Sequence, residues 1–368
     1  MDEMTKTVPI VIPSYEPDER LIKLLEDLNA AGIGPVIIVN DGSGTEYDEI
    51  FSEAEKLIEE GGGKFISYHP NKGKGRALKT AFSYIAENMP DAFGCVTADS
   101  DGQHTTECIA SIISALKDNP DSLVLGVRKF DGEDVPWKSR MGNNITIKVF
   151  SYVSGVKVSD TQTGLRGIPF DFMKDLIDCK GERFEYETQM LLECAGRLKI
   201  HEVPIKTVYD SKENHQTHFD PFKDSVRIYK ILGKKFIKYI FASLSSFVVD
   251  ILLFTLFCKL LTGSVPEGYL VQCATVCARV ISATYNYIVN YFLVFKSRAG
   301  KATSLVKYAA LAFVQMQASA WSVAGICFVL PMISKTLIKC IVDIILFLLS
   351  YSIQQRFVFA SKKKRIAE

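Results

Sequence analysis

Apolar residues recur along the first part of the chain in short runs of five or six, each stopping at a polar cluster. Runs over 8–13, 36–40, 64–68, 93–98 and 123–127 read as buried strands. Between them, residues 19–31, 47–60, 74–88 and 105–117 space their apolar side chains as amphipathic helices do. Strand alternating with helix predicts βαβ units and a mostly parallel α/β sheet. The clusters that end the strands are PSYEPDE, NDGSG, HPNKGKG, DSDGQH and GVRKFDG. They should gather along the carboxyl edge of the sheet, where such folds bind ligands.

The pattern changes near residue 235. Four long apolar stretches follow, over 236–258, 269–295, 304–330 and 336–359, each near the ~20 residues that span a bilayer. The expected organisation is an α/β domain over 1–230 and an all-α membrane domain of four helices over 231–368. Lys296, Arg298 and Lys301 lie between the second and third stretches, and Lys362, Lys363, Lys364 and Arg365 follow the fourth. The other two links, LTGSVPEG and PMISK, are poor in positive charge, which puts both termini and the α/β domain in the cytoplasm. NYFLVFKSR echoes QQRFVFASK, and IKYIFA echoes VKYAAL, as a duplicated helical hairpin would. Asp250, Arg279, Asn286, Asn290 and Asp343 interrupt the apolar stretches. Ionisable groups in hydrocarbon need partners, so Arg279 should pair with Asp250 or Asp343. Two further segments, 137–153 and 215–230, mix aromatic and basic residues and suit a lipid surface, although the first fits a core-packed helix equally well.

Composition narrows the function. A formal net charge of +1 gives no bulk electrostatic case for a nucleic-acid partner. Nine scattered cysteines argue against a secreted disulfide framework. The N-terminal MDEMTKTVPIVIP lacks the basic and long apolar regions of a signal peptide. The first domain should therefore stay in the cytoplasm, and the expected location is the plasma (inner) membrane.

The chemistry lies in the strand-ending loops. Asp99 and Asp101 follow a buried strand, and two carboxylates there, with Gln103, can share Mg²⁺ or Mn²⁺ with substrate phosphates. Pro13, Tyr15 and Glu16 offer a ring and backbone groups to a flat base. Asp41 can accept from a base N–H or simply hold a turn. Lys72 and Lys74, at a helix entrance in NKGKGRA, suit a diphosphate or a solvated turn. Arg128, Arg140 and Arg166 are candidate phosphate clamps, since a guanidinium grips phosphate bidentately. Gln162 lies in DTQTGLRG, a loop expected to face the sugar and acceptor. His104 reads as an exposed helix-cap residue, and Glu185 and Glu187 as weaker sugar contacts.

IPSYEPDE, VNDGSG, NKGKGRALKTA, ADSDGQH and DTQTGLRG, in this order, resemble the family-two glycosyltransferases of GT-A fold, nearest the dolichyl- or polyprenyl-phosphate sugar synthases. ARVISATYNYIVNYFLVFKS with QQRFVF resembles the GtrA-like membrane family, associated with handling lipid-linked sugars. The resemblance implies an inverting, metal-dependent transfer of a hexose, glucose favoured, from UDP-glucose to polyprenyl phosphate. It implies that Pro13, Tyr15, Glu16, Asp41, Lys72, Lys74, Asp99 and Gln162 bind the nucleotide sugar. Asp99, Asp101 and Gln103 would hold the cation, and Arg128 and Arg140 the acceptor phosphate. A GDP-mannose-dependent enzyme, a transporter of lipid-linked sugars with an accessory binding domain, and a homo-oligomer remain open. No QxxRW motif favours a processive synthase.

Overall fold

The computed structural model describes residues 6–128, 137–195, 197–205, 223–295, 297, 299–330 and 332–360, with only the backbone for 137–144 and 268. In the first part, strands and helices alternate as β1 (Ile10–Ser14), α1 (Glu19–Ala30), β2 (Val36–Asp41), α2 (Asp48–Glu59), β3 (Lys64–Tyr68), α3 (Lys74–Asn88), β4 (Gly94–Thr97), α4 (Thr106–Asp118) and β5 (Ser122–Arg128). Next come α5 (Trp137–Ser154), β6 (Arg166–Pro169), α6 (Phe170–Ile177), α7 (Glu185–Cys194) and β7 (Lys199–Ile205). The sheet order is β3-β2-β1-β4-β6-β5-β7. β1, β2, β3 and β4 are mutually parallel, β5 runs parallel to β7, and β6 is antiparallel to both β4 and β5.

Residue chemistry explains the local choices. β1 and β2 are covered on both faces, so they read as unbroken Val and Ile runs. Asp18 caps α1 by accepting from the Arg20 backbone N–H, and Leu21, Leu24, Leu25 and Leu28 line the helix's buried face. Those leucines pack with Ile10, Ile12, Ile38, Val96, Ile109, Ile112 and Leu116 in one core, each full burial contributing ~1.5–3 kcal/mol. The chain lays β2 and β3 on one side of β1 and returns to place β4 on the other. The loops after β1 and β4 therefore flank a topological switch point, where open α/β sheets form their ligand crevice.

Chain contacts divide the protein into two compact units, Met1–Ser151 with Val156–Ile231, and Tyr152–Gly155 with Leu232–Glu368. Among the described residues of the second, four long helices dominate: α8 (Lys223–Leu261, which begins in the first), α9 (Glu267–Val289), α10 (Lys301–Val329) and α11 (Lys335–Ile353). Among the described residues, three helical stretches are long and apolar enough to cross a membrane: Lys223–Leu261, Lys301–Val329 and Lys335–Val358. α9 falls at the second expected span, but Gln272, Arg279, Asn286 and several hydroxyl residues dilute its hydropathy.

The two echoed motifs take the same form. Asn290–Val294 and Gln354–Val358 are both single π-helical turns, closed by Phe295 N–H donating to Asn290 O at 2.9 Å and Phe359 N–H to Gln354 O at 2.8 Å. The rings of Phe295 and Phe359 stack with centroids 5.0 Å apart. Asp250 accepts from Ser282 Oγ at 2.7 Å and pairs with Arg279 at 3.3 Å. Asp343 instead accepts from Ser319 at 2.6 Å and from Lys339 at 2.8 Å.

Candidate active site

Asp99 stands just past β4, and its carboxylate is held from three sides. Lys74 Nζ donates to Oδ1 at 2.6 Å, and His104 Nε2 lies 3.4 Å from Oδ2. Gly164 forms the third wall: a Cβ there would stand 2.3 Å from Oδ2. Gly164 cannot retreat easily, because Thr97 Oγ1 donates to its carbonyl at 2.7 Å. Burial alone would raise the Asp99 carboxyl, but the Lys74 charge and the His104 contact outweigh it and hold the group well below the carboxylate range.

Asp101 differs. Its Oδ1 accepts from the Gln103 backbone N–H at 3.1 Å, and no hydrogen bond among the described residues uses Oδ2. Burial and the charge of Asp99 raise its carboxyl. Gln103 is half-exposed beside it. A carboxylate repelled by its neighbour and holding an oxygen in reserve fits a divalent cation. No group of three or more His, Cys, Asp or Glu residues arranged to hold a metal occurs among the described residues. A cation here would complete its coordination with substrate phosphates, which suits Mg²⁺ or Mn²⁺ better than Zn²⁺.

Lys74 is the first residue of α3, and its ammonium also lies 2.9 Å from Glu187 Oε1 in the first turn of α7. Two acidic partners raise the Lys74 ammonium above its ordinary range despite burial. Gly73, at φ +104°, makes this entrance: a Cβ would stand 2.6 Å from the Glu182 carbonyl oxygen. Glu187, expected only as a weaker sugar contact, is instead the second partner of Lys74. Its partner is 113 positions away, and the two acids opening α7 were the only local hint.

Several expectations change. Asp41 is 3 % exposed and accepts four bonds, from Tyr68 Oη at 2.7 Å, Asn71 Nδ2 at 3.1 Å, Lys72 N–H at 2.9 Å and Gly73 N–H at 2.8 Å. A carboxylate has about four acceptor positions, so Asp41 is committed to the NKGK turn rather than open to a base. It also takes the Lys72 and Gly73 amides at the helix entrance. Lys72 is exposed, with its ammonium 5.0 Å from the Tyr68 ring centre. Pro13 is buried inside β1, opposite Val39. Tyr15 and Glu16 do sit at the edge after β1, where Glu16 N–H donates to Ser43 Oγ at 2.9 Å and ties the first two loops together. Gln162 is exposed.

The arginines separate. Arg166 is 1 % exposed and donates to the Thr163 carbonyl at 2.9 Å and the Glu187 carbonyl at 2.7 Å. It staples the DTQTG loop to α7 from inside. Arg128 grips Asp160 bidentately, at 2.7 and 3.1 Å, and Asp160 is fully buried. Arg140 lies in the backbone-only segment of α5, and its side chain falls outside the described residues. His104 is 3 % exposed; Thr105, one residue on, is the helix cap, and His104 turns inward to Asp99.

Residues 10–186 match the family described as Glycosyl transferase family 2, and residues 238–359 match the family described as GtrA/DPMS, transmembrane domain. The chain joins a family 2 glycosyltransferase domain to a GtrA/DPMS transmembrane domain. A Methanococcus voltae protein named UDP-N-acetylglucosamine–dolichyl-phosphate N-acetylglucosaminyltransferase is 28 % identical over 225 residues, 55 % of this chain and 86 % of that protein. A Haloferax volcanii protein named dolichyl-phosphate hexose transferase is 28 % identical over 228 residues, 61 % of this chain and 92 % of that one. A Pyrococcus furiosus protein named dolichol-phosphate mannosyltransferase is 25 % identical over 303 residues, 78 % of this chain and 81 % of that one.

Proposed function

We propose that this protein is a membrane-bound, inverting glycosyltransferase that moves a hexose, glucose favoured, from a nucleotide-diphosphate sugar to polyprenyl phosphate. The observation that carries the reading is the Lys74–Asp99–Asp101 cluster at the switch point of a family-two domain on a chain that also holds membrane helices. The relatives' names support the acceptor class and name N-acetylglucosamine, an unspecified hexose and mannose as sugars; the preference for glucose rests on the DTQTGLRG loop.

Asp99 and Asp101, with Gln103, would hold Mg²⁺ or Mn²⁺. That ion supplies Lewis-acid stabilisation of the negative charge building on the leaving diphosphate. Lys74 adds a second positive charge at the same place. Asp41 keeps the NKGK turn in the shape that presents Lys74, and Arg166 keeps the DTQTG loop against α7. The attacking group is a phosphate oxygen already ionised at neutral pH, so no strong general base is required. In-line displacement by that oxygen inverts the anomeric centre. Arg128 and Arg140 remain the proposed acceptor-phosphate contacts. Arg128 would offer its guanidinium from a fixed position, anchored by Asp160.

The distribution of basic residues between the apolar stretches supports a cytoplasmic catalytic domain and cytoplasmic termini at the plasma membrane. The test is a donor panel. The purified full chain in lipid nanodiscs is given polyprenyl phosphate, Mn²⁺ or Mg²⁺, and in turn labelled UDP-glucose, UDP-N-acetylglucosamine and GDP-mannose. Label passing into the organic phase from UDP-glucose above the others is the expected result. No transfer from any donor would overturn the enzymatic reading, and transfer only from another donor would overturn the glucose assignment.

A further inference from the structure

Lys74 is an unusual neighbour for a cation site. Its ammonium contacts Asp99 Oδ1 at 2.6 Å and Glu187 Oε1 at 2.9 Å, with only 17 % of the side chain exposed. Glu187 is itself 9 % exposed at the side chain, and Lys74 is the one ion pair its carboxylate makes among the described residues, although its charge also acts on the buried Arg166. An ammonium and a divalent cation seek the same carboxylate oxygens and repel each other. At Asp99 they compete, and the cation gains that oxygen only if Lys74 yields it. Yielding with no second anion nearby would strand a charge in a poorly solvated place, which is strongly unfavourable. Glu187 removes that obstacle, because it already holds the ammonium from the far side.

We propose that Lys74 is a built-in competitor for the divalent cation at Asp99, and that Glu187 is the positioning residue to which Lys74 is handed when the cation takes that oxygen. The inference rests on the metal assignment made under Proposed function and adds a role for Glu187 that sugar contact does not provide. An ammonium has three N–H donors. With one on Glu187, the others turn from Asp99 to the diphosphate that arrives with the cation. Cation and donor binding are thereby coupled: each makes room for the other.

Mn²⁺ binding without donor, followed by electron paramagnetic resonance on the full chain in nanodiscs, tests this apart from turnover. Lys74→Met should tighten Mn²⁺ by about 10-fold, since a positive charge some 4 Å from the site is removed. Glu187→Gln should weaken Mn²⁺ by about 10-fold when Lys74 is present, yet by no more than about 2-fold in the Lys74→Met background, because the handover then has nothing to hand over. Equal Glu187→Gln effects in both backgrounds would reduce Glu187 to a distant charge and overturn the proposal. So would an unchanged or weaker Mn²⁺ affinity in Lys74→Met. Thermal melts check folding. If Lys74→Met does not fold, Lys74→Gln replaces it, and the charge-balanced Lys74→Met/Glu187→Gln protein must still bind Mn²⁺ more tightly than the parent. Asp101→Asn separates the two readings. If it leaves Mn²⁺ binding intact, the metal assignment itself fails and this proposal with it. If it abolishes binding while Lys74→Met changes nothing, only the handover is wrong.

Discussion

Gly164→Ala isolates the geometry of Asp99 from its chemistry. The substitution adds one methyl group and removes no donor, acceptor or charge. Gly164 does not have a positive φ, so alanine fits the backbone there. The added Cβ would nevertheless stand 2.3 Å from Asp99 Oδ2, 2.6 Å from Oδ1 and 2.7 Å from Cγ. Ordinary contact begins near 3.4 Å, so the carboxylate must move by roughly 1 Å. Gly164 cannot supply that space, since its carbonyl is fixed by Thr97 at 2.7 Å. A shift of that size pulls Oδ1 out of its 2.6 Å bond to Lys74 and misplaces a group that must face the leaving diphosphate. Misplacement by ~1 Å at a reacting centre lowers rate by about 100-fold, equivalent to ~2.7 kcal/mol of transition-state stabilisation. Overpacking should lower folding stability by only ~1–3 kcal/mol. The assay is kcat/KM for sugar transfer to polyprenyl phosphate, with a thermal melt on the same preparation. Activity within threefold of the parent, in a protein that folds, would refute the claim that Asp99 must lie against Gly164.

Three other perturbations probe the supports. Asp41→Asn cannot accept all four of its bonds and should lose ~1–3 kcal/mol of stability while raising donor KM; a melt identical to the parent would show that the NKGK turn is held otherwise. Arg166→Met leaves the Thr163 and Glu187 carbonyls buried without their donor, at ~1–3 kcal/mol each, so chemical unfolding should shift to lower denaturant. Lost transfer with unchanged unfolding would return Arg166 to a direct role at phosphate. Chelator should abolish transfer and excess Mn²⁺ or Mg²⁺ restore it; activity that survives exhaustive chelation would exclude the cation.

The strands that carry the site were legible because burial on both faces writes itself as unbroken apolar runs. Ile10–Ser14 and Val36–Asp41 fall within two residues of where those runs predicted. β6 was not legible: RGIP is four residues long, and one central residue is glycine, too little for any periodicity to show. β7, KIHEVPI, breaks any alternation with the adjacent polar pair His201 and Glu202 and carries a proline, which hid it as well. At the site, the loops and Asp99 could be placed from strand endings alone. What each side chain touches could not, because those contacts join distant positions. Asp41 looked available to a ligand until four donors from residues 68–73 surrounded it. His104 looked like a cap because HTTE begins a helix; the cap is Thr105, and the contact to Asp99 draws the imidazole inward.

The most direct measurement is the position of Mn²⁺ in crystals of the protein grown with a nucleotide-diphosphate sugar, located by its anomalous scattering. The account predicts one strong peak bonded to Asp101 and Asp99 oxygens and to the donor's diphosphate, with Lys74 drawn toward Glu187. A peak elsewhere, or donor bound with both aspartates facing away from its phosphates, would contradict it.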